Sequence, residues 1–144
     1  MKVITQAIVL TAFVGVILAA CTAASPPAAS PETLQLGAKL YAENCQACHG
    51  DRQGKGRIPA APSHGSDGHT WHHSDRNLRE VILNGTTEMT EQMRRMMGVP
   101  EDAPRMPAWK DKLSQDDINA ILAYIKTFWT DEQRQLQAET PMMP

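Results

Sequence analysis

The sequence carries no excess of charge of either sign. Its 144 residues include 14 Lys and Arg against 16 Asp and Glu, a formal net charge of −2. That balance leaves no electrostatic footprint for nucleic acid. Cysteine is scarce, with three in all. The count is odd, and none of the three needs a partner in a structural disulfide. A bond between Cys45 and Cys48 would close too small a loop to stabilise much. No second Cys pair accompanies these two, which argues against a finger-like zinc site. No β-rich run precedes Cys45, as a thioredoxin-like pair would require; the lead-in 34–44 reads as helix. No acid–base pair or separate substrate pocket is legible, so the chain declares no substrate reaction of its own. The length allows one domain at most beyond an N-terminal leader.

What is present is Cys45-Gln46-Ala47-Cys48-His49. Two thiols three positions apart, followed at once by an imidazole, have the spacing for covalent haem attachment. The sulfurs lie about one helical turn apart and reach the two vinyl groups of one porphyrin, and His49 then falls under the iron as an axial ligand. Zinc and a redox disulfide are the alternatives for a bare Cys-x-x-Cys; the trailing His49 favours haem. The loop 51–63 is rich in Gly and Pro. A carbonyl of Pro59 or Pro62 is expected to accept from the far ring nitrogen of His49 and so orient the ring. Arg52, Lys55 and Arg57 in that loop read as a solvated basic cluster.

The N-terminus reads as a targeting segment. Lys2 is a short positive region, 3–18 is mostly apolar, and Leu18-Ala19-Ala20-Cys21 follows. Small residues before a cut site mark a secretory signal, giving a signal peptide at 1–20. The Cys at the cut resembles a bacterial lipoprotein box, which implies that Cys21 is lipidated and becomes the mature N-terminus. An uncleaved membrane anchor is the alternative. Either reading exports the domain to a membrane surface facing the periplasm or the cell exterior. Residues 21–33 are mainly Ala, Ser and Pro and read as a lipidated, flexible tether. The domain proper is then 34–130, with a polar C-terminal extension at 131–144.

Within the domain, Pro31-Glu32-Thr33 opens the first helix, with Leu36, Leu40 and Tyr41 at helical spacing. Gly37 costs helix stability, so its presence predicts a second helix crossing close by. The loop 64–73 holds His64, His69, His72 and His73. Clustered histidines suggest a metal; the other reading has Trp71 packed on the porphyrin and the imidazoles capping turns or bonding a propionate. Ser74 or Asp75 caps a helix that stops at Asn84-Gly85. Met89, Met93, Met96 and Met97 share one helical face, which predicts flexible core filling. Met106 differs: Pro107 biases it away from helical geometry, which suits presentation of a thioether to iron. A last helix opens at Ser114, with Asp117 completing a near capping box. Ile118, Ile121, Leu122, Ile125, Phe128 and Trp129 form its broad apolar face, and 130–139 is expected to extend it.

Gly37 and Tyr41, the motif Cys45 to Gly50, Met106-Pro107-Ala108-Trp109, the run Leu113 to Ile118 and the run Ala123 to Lys126 stand in an order that resembles a small class I, monohaem c-type cytochrome of bacteria. The likeness covers about 34–129. It implies an all-α fold with three main helices around one covalent haem, and a crossing of Gly37 and Tyr41 against Ile121 and Tyr124. It implies thioether attachment at Cys45 and Cys48, His49 as proximal ligand and Met106 as distal ligand. It implies a one-electron carrier holding one haem c per chain, not an enzyme, with redox proteins as partners. The His-rich loop and the Met-rich insertion depart from the family pattern, leaving Met89, Met93, Met96, Met97, His72 and His73 as rival ligands. Two readings from other classes stay open: a haem sensor or peroxidase-like protein with a labile sixth ligand, and a copper-handling lipoprotein using the His and Met clusters.

Overall fold

A computed structural model describes residues 29–54, 58 and 61–140. The expected signal peptide, Cys21, Lys55, Arg57, Pro59 and residues 141–144 lie outside the described residues. Among the described residues there are six α-helices, one short 3-10 turn and no strand, so the all-α expectation holds.

Helix α1, Pro31–Asn44, begins where the Ser30 hydroxyl accepts from the Thr33 amide. Such a cap satisfies one of the free N–H groups at a helix start. Residues 31–33 therefore belong to a helix. The chain breaks at Cys45 and resumes as a single turn, α2, Gln46–His49, ended by Gly50. A long loop then carries the 3-10 turn Thr70–His72. Helix α3, Asp75–Asn84, is capped by Ser74 and closed by Gly85. Helix α4, Glu88–Met96, starts at a reciprocal Thr87–Thr90 box. Helix α5, Gln115–Lys126, starts at a reciprocal Ser114–Asp117 box, with Asp doing the work of the usual Glu.

The core lies where α1 and α3 pack on α5. Tyr41, Ile118, Ile121 and Ile125 are its most deeply buried side chains. Gly37 answers the packing question raised by the sequence. A Cβ there would stand 2.0 Å from the Ala120 carbonyl oxygen and 2.9 Å from Cβ of Tyr124, so only hydrogen lets the helices approach. Tyr41 meets Tyr124 at 5.7 Å and Phe128 edge-on at 5.5 Å between ring centroids, a favourable aromatic arrangement.

Two expectations are corrected. Helix α5 stops at Lys126, and Phe128 and Trp129 turn into the core from the segment beyond it. Thr130 and Gln133 then build a fresh capping box that starts a separate helix, α6, Asp131–Glu139. The methionines of α4 do not fill the core. Met89, Met93, Met96 and Met97, the last just beyond the helix, are 61–82% exposed and none joins the core cluster; Met93 and Met97 border a large cavity instead.

Candidate functional site

Cys45, Cys48 and His49 from the first helical stretch and Met106 from the segment before α5 line one cavity of about 630 Å³, within the range of pockets that hold a cofactor. Leu78 and Ile82 of α3, Ile121 and Ile125 of α5, and Trp109 supply apolar lining.

His49 is 8% exposed. Its Nδ1 lies 2.9 Å from the Pro62 carbonyl oxygen. A carbonyl only accepts, so Nδ1 carries the proton and Nε2 keeps its lone pair. Burial pulls the imidazole below its ordinary pKa, against a smaller push upward from the Pro62 bond. The ring is therefore neutral at pH 7, in the tautomer that a metal ligand needs. Pro62, one of the two expected prolines, accepts this bond; Pro59 lies outside the described residues.

Burial, followed by the neighbouring Cys48, pushes the Cys45 thiol up to about 11. Reactive thiols of redox pairs shift the other way. Neither Cys45 nor Cys48 is in a disulfide. Among the described residues, no group of three or more His, Cys, Asp or Glu converges as a structural zinc site requires.

Met106 is strapped to the end of α3. The Thr86 amide donates to the Met106 carbonyl at 2.9 Å, and the Met106 amide donates to the Thr86 hydroxyl at 2.9 Å. Further along, the amides of Trp109 and Lys110 donate to the carbonyls of Ile82 and Leu83, each at 3.2 Å. Gly85 permits the close approach. Its φ is +63°, and a Cβ there would stand 2.5 Å from the Met106 carbonyl oxygen. Pro107 thus finds its extended segment held by backbone bonds.

The rival ligands divide. Met93, Met97, His69 and His73 also line the cavity, whereas Met89, Met96 and His72 are not among its lining residues. Trp71 is not among them either; its indole stacks on His72 at 3.6 Å and donates to the Gly68 carbonyl at 2.9 Å.

One contact escaped the sequence reading. The His64 ring stacks on His49, centroids 4.2 Å apart and planes 14° from parallel. Its Nδ1 stands 3.2 Å from the Tyr41 hydroxyl, which donates its own proton to the Gly50 carbonyl at 2.7 Å. Burial and then the adjacent His49 push His64 down to about 3. The only available signal was that His64 sits two positions after the proline that orients His49.

An all-helical fold that brings a Cys-x-x-Cys-His motif to an apolar cavity defines a monohaem, class I c-type cytochrome. The chain matches the family model described as cytochrome c over residues 34–129, and it belongs to that family. It is 33% identical over 96 residues to the cbb3-type cytochrome c oxidase subunit FixP of Bradyrhizobium sp. (strain ORS 278), covering 62% of this chain and 25% of that protein. It is 29% identical over 104 residues to cytochrome c550 of Pseudomonas aeruginosa, covering 69% of this chain and 58% of that protein. The chain therefore spans a quarter and somewhat over half of the lengths of these two curated relatives. No solved structure matches it. The family carries covalently bound haem c, one per domain, and works in electron transfer. The residues present fit the group: two thiols, a neutral imidazole and a thioether border a single apolar cavity.

Proposed function

We propose that the protein is a one-electron carrier whose iron is held between His49 and Met106, with thioether links at Cys45 and Cys48. The observation that supports this reading is the shared cavity: His49 and Met106 border the same space although they are far apart in the chain. Haem c, when bound, supplies the ferrous/ferric couple. The remaining work belongs to the chain. Pro62 holds the His49 ring and its tautomer through the Nδ1 bond. Thr86 holds the backbone on both sides of the Met106 peptide. A Met thioether favours reduced iron more than a second imidazole would, which raises the potential. Apolar walls keep water from the centre, so little reorganisation accompanies each electron. The electron donor and acceptor are other redox proteins, met through a small transient surface.

The carrier is exported and attached to a membrane through lipid on Cys21. Among the described residues no helix is long and apolar enough to cross a membrane, and an anchor at Cys21 requires none. Cys21→Ala is expected to move the protein from the membrane fraction to the soluble fraction after cell lysis. Retention in the membrane would count against the lipid.

The test of ligation is spectroscopic. The purified protein is expected to show c-type absorption that sharpens on reduction with dithionite, and a weak far-red band in the ferric state. Met106→Ala should lose that band, and its ferrous form should bind carbon monoxide at neutral pH. Survival of the band in the variant would rule out Met106 as the distal ligand. Carbon monoxide binding by the wild type would instead indicate an open sixth position and a sensor.

A further inference from the structure

The carrier reading gives the histidines at 69, 72 and 73 no part in holding the iron. His72 is taken up by its stack on Trp71. His69 and His73 are different. Their Nε2 atoms face one another at 3.3 Å, with ring planes 75° apart. Two imidazole nitrogens bound to one zinc ion at about 2.0–2.1 Å, with tetrahedral angles, stand about 3.3–3.4 Å apart. A right-angled, square-planar pair would stand closer, at about 2.9 Å. The geometry points to a two-imidazole site at His69 and His73 for a divalent transition ion of tetrahedral preference, Zn2+ above all.

A hydrogen bond between the two rings is the plain rival. Such a bond contributes only about 0.5–1.5 kcal/mol net, and an ion held by the same two nitrogens would replace it. The backbone that carries the rings is, by contrast, heavily secured. The His72 and His73 amides close the 3-10 turn onto the carbonyls of His69 and Thr70, at 3.0 and 3.1 Å. The Thr70 hydroxyl donates to the Ser63 carbonyl at 3.1 Å. Helix α6 reaches across from the C-terminal side. Gln133 donates to the Ser66 carbonyl at 2.8 Å, and Gln137 to the His73 carbonyl at 3.2 Å. A pair held this way loses little freedom on binding an ion. Helix α6 and this loop thus form one unit: the helix, which lies outside the family match, braces the loop.

No third His, Cys, Asp or Glu joins the pair among the described residues. Water would therefore complete the coordination, and the site would exchange its ion instead of storing it. Both rings also line the haem cavity, so the ion would sit beside the redox centre.

The experiment is equilibrium dialysis of the intact, haem-loaded protein against Zn2+, with bound metal measured by atomic emission. The expected result is one Zn2+ per chain, an affinity at least about tenfold lower in His69→Ala and in His73→Ala, and no change in His72→Ala. Haem absorption reports whether each variant is folded. For a variant that loses its haem, zinc-edge X-ray absorption of the wild type decides the matter, and two imidazole nitrogens are expected. Absence of stoichiometric Zn2+ from the wild type, retention of it by the double variant, or fewer than two imidazoles at the zinc edge would each overturn the proposal. None of these outcomes bears on His49 or Met106.

Discussion

Tyr41 does more for the site than its place in the core suggests. Its ring wedges between Tyr124 and Phe128, while its hydroxyl holds the Gly50 carbonyl and stands against His64. Tyr41→Phe keeps the ring and deletes the hydroxyl, leaving the carbonyl and an imidazole nitrogen without a partner. The expected cost is about 1–3 kcal/mol, read as a lower urea midpoint with the haem spectrum intact. At this scale the sequence was informative wherever a residue type has one physical use. Gly37 implied a close crossing, and a loop proline implied an acceptor for His49. His64 was illegible because its partner is a ring fifteen positions away that only loop closure brings into contact.

The segment carrying Met106 has no regular structure of its own and borrows order from the end of α3. Gly85 is the hinge of that arrangement. Gly85→Ala would force a side chain into a positive-φ, extended-ψ backbone that essentially only glycine adopts, costing about 1–3 kcal/mol by itself, and would press Cβ against the Met106 carbonyl. The strap should open. The expected outcome is lower stability together with a weakened far-red ferric band, measured side by side with the wild type. Element boundaries were less legible than residue roles. The apolar pattern of α5 runs on through Phe128 and Trp129, and periodicity alone gives no reason to stop at Lys126; the Thr130–Gln133 box does. The methionines of α4 show the converse error. A stripe at helical spacing looks the same whether its face meets a neighbour or water, so tertiary context alone separates the two.

Across the whole molecule, one polar knot joins α3, α5 and α6. Asp75 bonds Lys126 at 2.7 Å and accepts from Gln137 at 2.7 Å. Burial would raise the Asp75 carboxyl, but Lys126 and Gln137 together outweigh it and hold it below the usual 3.8. The folded value lies below the unfolded one, so the stabilisation is complete above about pH 5 and is lost as pH falls through the folded value. Asp75→Asn removes it at every pH. The variant should be less stable by about 1 kcal/mol at neutral pH, and its urea midpoint should fall less steeply than that of the wild type on acidification below about pH 4. The sequence announced the family through its ordered motifs, but this knot joins residues that no local pattern connects. The exposed sulfurs of α4 have a last consequence. A peroxide arriving from solvent meets Met89 and Met96, which stand 76% and 82% exposed and off the haem cavity, before it reaches the partly buried Met106. Sulfoxide formation follows accessibility, so brief peroxide treatment should oxidise Met89 and Met96 ahead of Met106, an order that peptide mass mapping would read.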